Sequence, residues 1–142
     1  MTPSEIILNY ENYPIVPVRF KYKQKKTPVI EALLDSGGDF IVIPMPIAKY
    51  LEMDLDQSSD VDTAGGTTCM YRTEVDMIIG KKDCCTSYFN REIHVSSQHD
   101  IPILLGRNPL FEDYEITFRK QKHQLILKPL HTPIHETYPT GF

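Results

Sequence analysis

The stretch Glu31-Ala-Leu-Leu-Asp35-Ser36-Gly37-Gly38-Asp39-Phe-Ile-Val-Ile-Pro44 decides how this chain is read. An apolar run delivers one carboxylate, Ser36 and two glycines turn the backbone, and a second apolar run leads away. Sheet patterning does not ask for an acid at Asp35, because Asp is depleted in strands. A carboxylate this close to apolar walls costs free energy unless it is hydrogen-bonded or shares a proton. Asp, Ser and Gly also favour turns for ordinary backbone reasons. The stretch alone is therefore read two ways: a turn joining two strands, or a loop that presents an acid.

Its flanks are strands. Upstream, Pro14 to Lys23 alternates, with Val16, Val18, Phe20 and Tyr22 on one face and Arg19, Lys21 and Lys23 on the other. The lysines around Gln24 are read as a solvated edge and turn, which also blocks edge-to-edge aggregation. Glu5 to Tyr10 is a first strand or an edge arm. Downstream, Phe40 to Ile43 is a buried strand, and Pro46 suits the first turn of a short helix that buries Ile47, Ala48 and Leu51.

Val61 to Thr68 and Cys69 to Ile79 make extended arms around Gly65 and Gly66, a flexible hairpin tip. Asp62-Thr63-Ala64 imitates a second acid triplet but lacks the Gly and the apolar run that follow Asp35. Cys84 to Val95 is one further strand or two. Ile101-Pro-Ile-Leu-Leu105-Gly106-Arg107-Asn108-Pro109 is an apolar strand stopped by Gly106, with Asn108 capping and Pro109 opening a short helix. Tyr114 to Phe118 and His123 to Lys128 form a closing hairpin. His131 and His135 are four apart, but Pro133 between them makes a helical metal pair poor.

The 142 residues suit one domain: an arm over 1–13, a domain over 14–129 and a Pro-containing tail over 130–142. A formal charge of −4 argues against nucleic acid as a partner. No stretch approaches about 18 consecutive apolar residues, so no membrane span is expected. The start has neither the basic residues nor the apolar run of a signal peptide. Three cysteines, with Cys84 and Cys85 adjacent, argue against a disulfide framework and show no zinc spacing. Reduced thiols point to the cytoplasm, and neither metal nor cofactor is expected.

The Asp35 loop followed by a Gly-rich hairpin and then Ile103-Leu-Leu-Gly106-Arg107-Asn108 resembles the retropepsin-like aspartic proteases, in order and in spacing. The resemblance covers roughly Val16 to Pro129 and implies a single-domain member; the starting Met and the absence of flanking viral-type sequence lean toward a cellular one. It implies an all-β, closed-barrel domain with a flap hairpin and one or two short helices, active as a two-fold homodimer. Asp35 matches the catalytic aspartate, Ser36 the hydroxyl residue that interlocks beneath the two acids, and Gly37 the residue that lets backbone approach substrate. Asp39 and Arg107 match a charged pair bracing the loop, while Leu105 and Gly106 match the strand packed beneath it. Gly38 and Asp39 would border the substrate, and Ala64, Gly65, Gly66 and Thr67 would form the flap tip over it.

The activity implied is that of an endopeptidase acting on peptides or unfolded proteins. The reaction needs two carboxylates sharing one proton, one drawing a proton from water while the other binds the substrate carbonyl. The chain holds one such loop, so the second Asp35 must come from a second copy. Gly38 departs from the pattern, which usually has Ala, Ser or Thr there; a glycine cannot donate a hydroxyl to the carboxylate. That departure bears on pH optimum and catalytic power, and it supports the alternative of a catalytically inactive, dimeric peptide-binding module.

Overall fold

Val16, Val18 and Phe20 alternate along β2 (Ile15–Tyr22) and are all buried, so this strand turns one face fully inward. In the computed structural model, which describes residues 5–55, 59–63, 66–81, 84–130 and 142, that inward face is the wall of a closed barrel. β2 pairs antiparallel with β4 (Ile30–Leu34) on one edge and with β7 (Gly66–Lys81) on the other. The ring continues from β4 through β9 (Ile103–Leu105), β5 (Ile41–Pro44) and β8 (Cys84–Ser96) back to β7. Closure leaves these six strands without free edges.

The β4–β9 and β5–β8 pairings are parallel and the others in the ring antiparallel. Ile41, Ile43, Ile103 and Leu105 are all buried, whereas Val42 and Leu104 between them are only partly so. Two short strands of the same sheet extend beyond the ring: β3 (Lys25–Lys26) beside β2, and β6 (Ser59–Thr63), which pairs with the start of β7. The β6–β7 register runs from Ser59↔Met70 to Thr63↔Gly66, so Gly66 and Thr67 open β7 at the hairpin's end. Ala64 and Gly65 lie outside the described residues.

β8 is a single strand, not two. The apparent break in its sequence is a register shift opposite Val75 and Met77. Asn90 there takes a left-handed φ of 53°, and its N–H donates to Asp76 Oδ1 at 2.8 Å. Asn tolerates that backbone better than most residues.

A second sheet joins the two ends of the chain, in the order β1 (Ile6–Asn9), β11 (Gln124–Pro129), β10 (Tyr114–Arg119). Ile6, Leu8, Leu125 and Leu127 are buried beneath it, so the N-terminal arm contributes to the core. Among the described residues two short α-helices complete the fold. In α1 (Met45–Tyr50), Pro46 lies in the first turn and Ala48 is buried. α2 (Leu110–Asp113) corrects the sequence reading: Pro109, after a cis bond, occupies the cap position, and no side chain caps the helix. The Asn108 backbone N–H donates to Asp39 O, tying this turn to the Asp35 loop.

Tyr88 ties β8 to α2: its hydroxyl is 2.7 Å from Asp113 Oδ2, inside the protein. Burial first, then the Asp113 carboxylate, raises the ionisation of Tyr88 well above the ordinary 10.0, and burial does the same at Tyr114. Both phenols stay protonated in the folded chain while the unfolded chain ionises near pH 10. The stability they add is therefore complete below about pH 10 and is lost as pH rises from there. Tyr88→Phe is expected to cost about 1–2 kcal/mol in a urea melt at neutral pH and to lessen the loss above pH 10. An unchanged midpoint and an unchanged alkaline slope would show that the Tyr88–Asp113 contact contributes nothing.

Candidate active site

β4 carries Ala32 and Leu34 into the core and ends at Asp35, whose backbone N–H donates to Leu105 O at 3.0 Å. The parallel β4–β9 register, Leu34↔Leu105, sets that contact, and Leu34 N–H donates to Pro14 O at 3.1 Å. The acid is thus fixed at the end of a buried strand by its backbone. Beyond it the chain turns at once: Gly38 N–H donates to Asp35 O at 3.2 Å, and Gly37 N–H donates to Asp35 Oδ1 at 3.1 Å. Asp35 is half-buried, whereas Ser36 and Gly37 are exposed. The loop therefore presents a carboxylate with one oxygen already held by an amide.

The exit of the loop is strapped by the second motif. Arg107 N–H donates to Gly38 O at 2.8 Å, Asn108 N–H to Asp39 O at 3.0 Å, and Gly106 N–H to Phe40 O at 3.2 Å. Gly106 is required by space: an added Cβ would lie 2.3 Å from Phe40 O, 2.7 Å from Phe40 N and 2.9 Å from Gly38 O. Asp39 and Arg107 form an ion pair through Oδ1 and Nη2, with side chains 66% and 55% exposed. At that exposure the pair contributes at most about 1 kcal/mol, so the backbone ties carry most of the bracing. The structure thus brings Asp35 to Asp39 and Leu105 to Arg107 into one cluster.

Gly38 gains a steric meaning. A Cβ at this position would lie 2.9 Å from Asp35 Oδ2. Any larger residue would displace the Asp35 carboxylate from its present position, so Gly38 leaves the second oxygen clear as well as withholding a hydroxyl.

One neighbour of the loop has no local signal in the sequence. The exposed Phe40 ring stacks on His94 of β8, with centroids 4.5 Å apart and planes 28° apart. The pairing follows from the parallel Val42↔His94 register, which no local pattern encodes. Burial pushes the His94 imidazole below its ordinary 6.5; Glu92 opposes the shift and Arg72 adds to it.

An open cleft of about 820 Å³ lies away from this loop, among Lys21, Lys23, Asp54, Arg72 and Glu74. Its lining mixes both charges and does not include Asp35. Among the described residues no three His, Cys, Asp or Glu side chains converge as a metal site, and no helix is long and apolar enough to cross a membrane.

The chain has the fold of the retropepsin-like aspartic proteases. A retropepsin-like aspartic protease from Rickettsia conorii superposes with a TM-score of 0.65 at 20% identity, over 87% of this chain and 98% of that one. The EIAV protease in complex with an inhibitor superposes with a TM-score of 0.51 at 23% identity, over 74% of this chain and 91% of that one. No protein-family model and no curated protein sequence matches the chain.

Proposed function

We propose that the protein is an aspartic endopeptidase whose single active site forms between two copies, each giving one Asp35. The observation that carries this reading is the Asp35 loop itself: a half-buried acid on a strand end, amide-held at one oxygen, with Ser36 and Gly37 exposed beside it. Three backbone hydrogen bonds from Gly106, Arg107 and Asn108 strap the exit of that loop and support the reading.

One Asp35 draws a proton from the attacking water while its mate, keeping the shared proton, donates to the scissile carbonyl. The negative charge passing to the carbonyl oxygen is thereby met by a hydrogen bond. Like charges brought together cannot both remain ionised, and this keeps one proton on the pair. Ser36 of each copy would interlock beneath the acids, and Asp39 with Arg107 would stiffen the loop at the join. The substrate is an extended stretch of peptide or unfolded protein, bound by strand addition, with the β6–β7 hairpin as the flap over it. Cys69, Cys84 and Cys85 are thiols, which accords with a reducing, cytoplasmic setting.

The test is cleavage of an unfolded protein from about pH 3 to 7 at several enzyme concentrations. The expected result is a bell-shaped profile and a specific activity that falls on dilution as the pair dissociates. No cleavage at any pH would leave the inactive dimeric peptide-binding module as the better reading, and a stable monomer at micromolar concentration would contradict both.

A further inference from the structure

β7 is buried on both faces near its end, and only one of those faces belongs to the core. Val75, Met77 and Ile79 point into the barrel and join its central cluster. Ile78 points the other way, because side chains alternate along a strand. Its cross-strand partners are Arg19 of β2 and Ser87 of β8, and it stands outside the central cluster. An outward residue on a barrel wall meets water, yet Ile78 is 1% exposed, and the Ser87 hydroxyl oxygen beside it is buried too. Neither partner explains the cover. Serine is short, and Arg19 is drawn the other way, its Nε donating to Thr27 O at 2.7 Å on the β3 side of β2.

The diagonal neighbours of Ile78 are Lys21 on β2 and Phe89 on β8, and such positions lie within reach of long and aromatic side chains. Both hold the same ring. Phe142, the last residue of the sequence, has its ring centroid 6.4 Å from that of Phe89, with planes 61° apart, and Lys21 Nζ lies 5.8 Å over it. Those separations are attractive for an aromatic pair and for a cation on a ring. β2 and β8 flank β7 at about 5 Å on either side. A ring touched from both therefore lies above β7, where Asp76 and Ile78 face outward.

We propose that Lys21, Phe89 and Ile78 form an aromatic-accepting dock on the outer wall of the barrel, and that Phe142 of the same chain is its occupant. The three residues ask different things of that side chain: Phe89 an aromatic partner, Lys21 a π-face and Ile78 apolar area. An aromatic residue gives all three. The dock is remote from the candidate active site. The Asp35 loop adjoins the end of β2 where Ile15 pairs with Leu33, whereas Lys21 is six residues on, about 20 Å along the strand. Phe142 is thereby fastened at the opposite end of β2 from Asp35, and the inference stands whether or not the protein cleaves peptides.

NMR on the full chain decides this. The Phe142 ring protons are expected to show NOEs to the Ile78 methyls and to the Lys21 ε-methylene, whose signal the ring shifts upfield. In Phe142→Ala that signal should return to the position of an exposed lysine, while Phe142→Trp should keep the upfield shift. Phe142→Ala should also lower the thermal midpoint by about 2–5 °C, and adding Phe89→Ala should lower it little further, because the two rings act as a pair. A Phe142 ring without NOEs to Ile78, or a Lys21 signal that ignores Phe142→Ala, would overturn the dock. A mixture of isotope-labelled and unlabelled protein identifies the source of the ring. NOEs confined to one copy uphold the same-chain occupant, and NOEs between copies would overturn it in favour of a second copy.

Discussion

Asp35→Asn is expected to lower kcat for peptide hydrolysis by about 10⁴-fold or more while leaving the protein folded. In a homodimer the substitution removes both acids at once, so neither water activation nor donation to the carbonyl survives. The fold should tolerate the change for a reason visible at the site. Asn is isosteric, and its Oδ1 can accept the Gly37 N–H that Asp35 Oδ1 now accepts at 3.1 Å. The backbone bond from Asp35 to Leu105 does not involve the side chain. A thermal midpoint within about 3 °C of wild type, with no hydrolysis, is the expected pair of results. Equal cleavage by both proteins would mean that Asp35 is a turn residue and that the activity resides elsewhere.

Gly106→Ala is expected to be the most damaging substitution to the fold near the site, costing about 3 kcal/mol or more. Its Cβ would be forced to within 2.3 Å of Phe40 O and 2.9 Å of Gly38 O, both backbone atoms. Neither can rotate away as a side chain would. Relief requires parting β9 from the loop exit, which breaks the Gly106–Phe40 and Arg107–Gly38 hydrogen bonds. The expected readouts are a thermal midpoint lowered by roughly 10 °C and activity lost even where the protein remains folded. A wild-type midpoint would show that the strap is looser than its geometry implies. Arg107 stands in contrast: its side chain is exposed and its ion pair is weak, whereas the glycine makes no polar side-chain contact at all.

Much of the barrel is legible in the sequence because alternation encodes a half-buried strand. Val16, Val18 and Phe20, and later Val75, Met77 and Ile79, announce their buried faces in the sequence and are buried. The Asp35 loop and the Gly106-Arg107-Asn108 turn are legible because glycines and an acid interrupt apolar runs. Pairing between distant strands is not legible. The parallel Val42↔His94 register that brings His94 to Phe40 depends on the whole ring closing, and nothing near either residue records it. The continuity of β8 is hidden for a related reason: the bulge opposite Val75 and Met77 shifts the alternation, so the sequence leaves open whether there is one strand or two. Asn108 reads as a helix cap, yet the helix begins one residue later, with Pro109 at the cap position and no side-chain cap. The tip residues Ala64 and Gly65 and the stretch 131–141 lie outside the described residues, so their sequence readings stand as expectations.

The central claim is that each active site needs an Asp35 from two copies, and mixing the two proteins tests it most directly. Wild type is held constant while Asp35→Asn protein is added, allowed to exchange subunits, and assayed on an unfolded protein substrate. Mixed dimers carry one acid and should be inactive, so a ninefold excess of the variant should cut activity to roughly a tenth, as random pairing requires. Activity that stays constant however much variant is added, after exchange of subunits has been verified, would contradict the shared site.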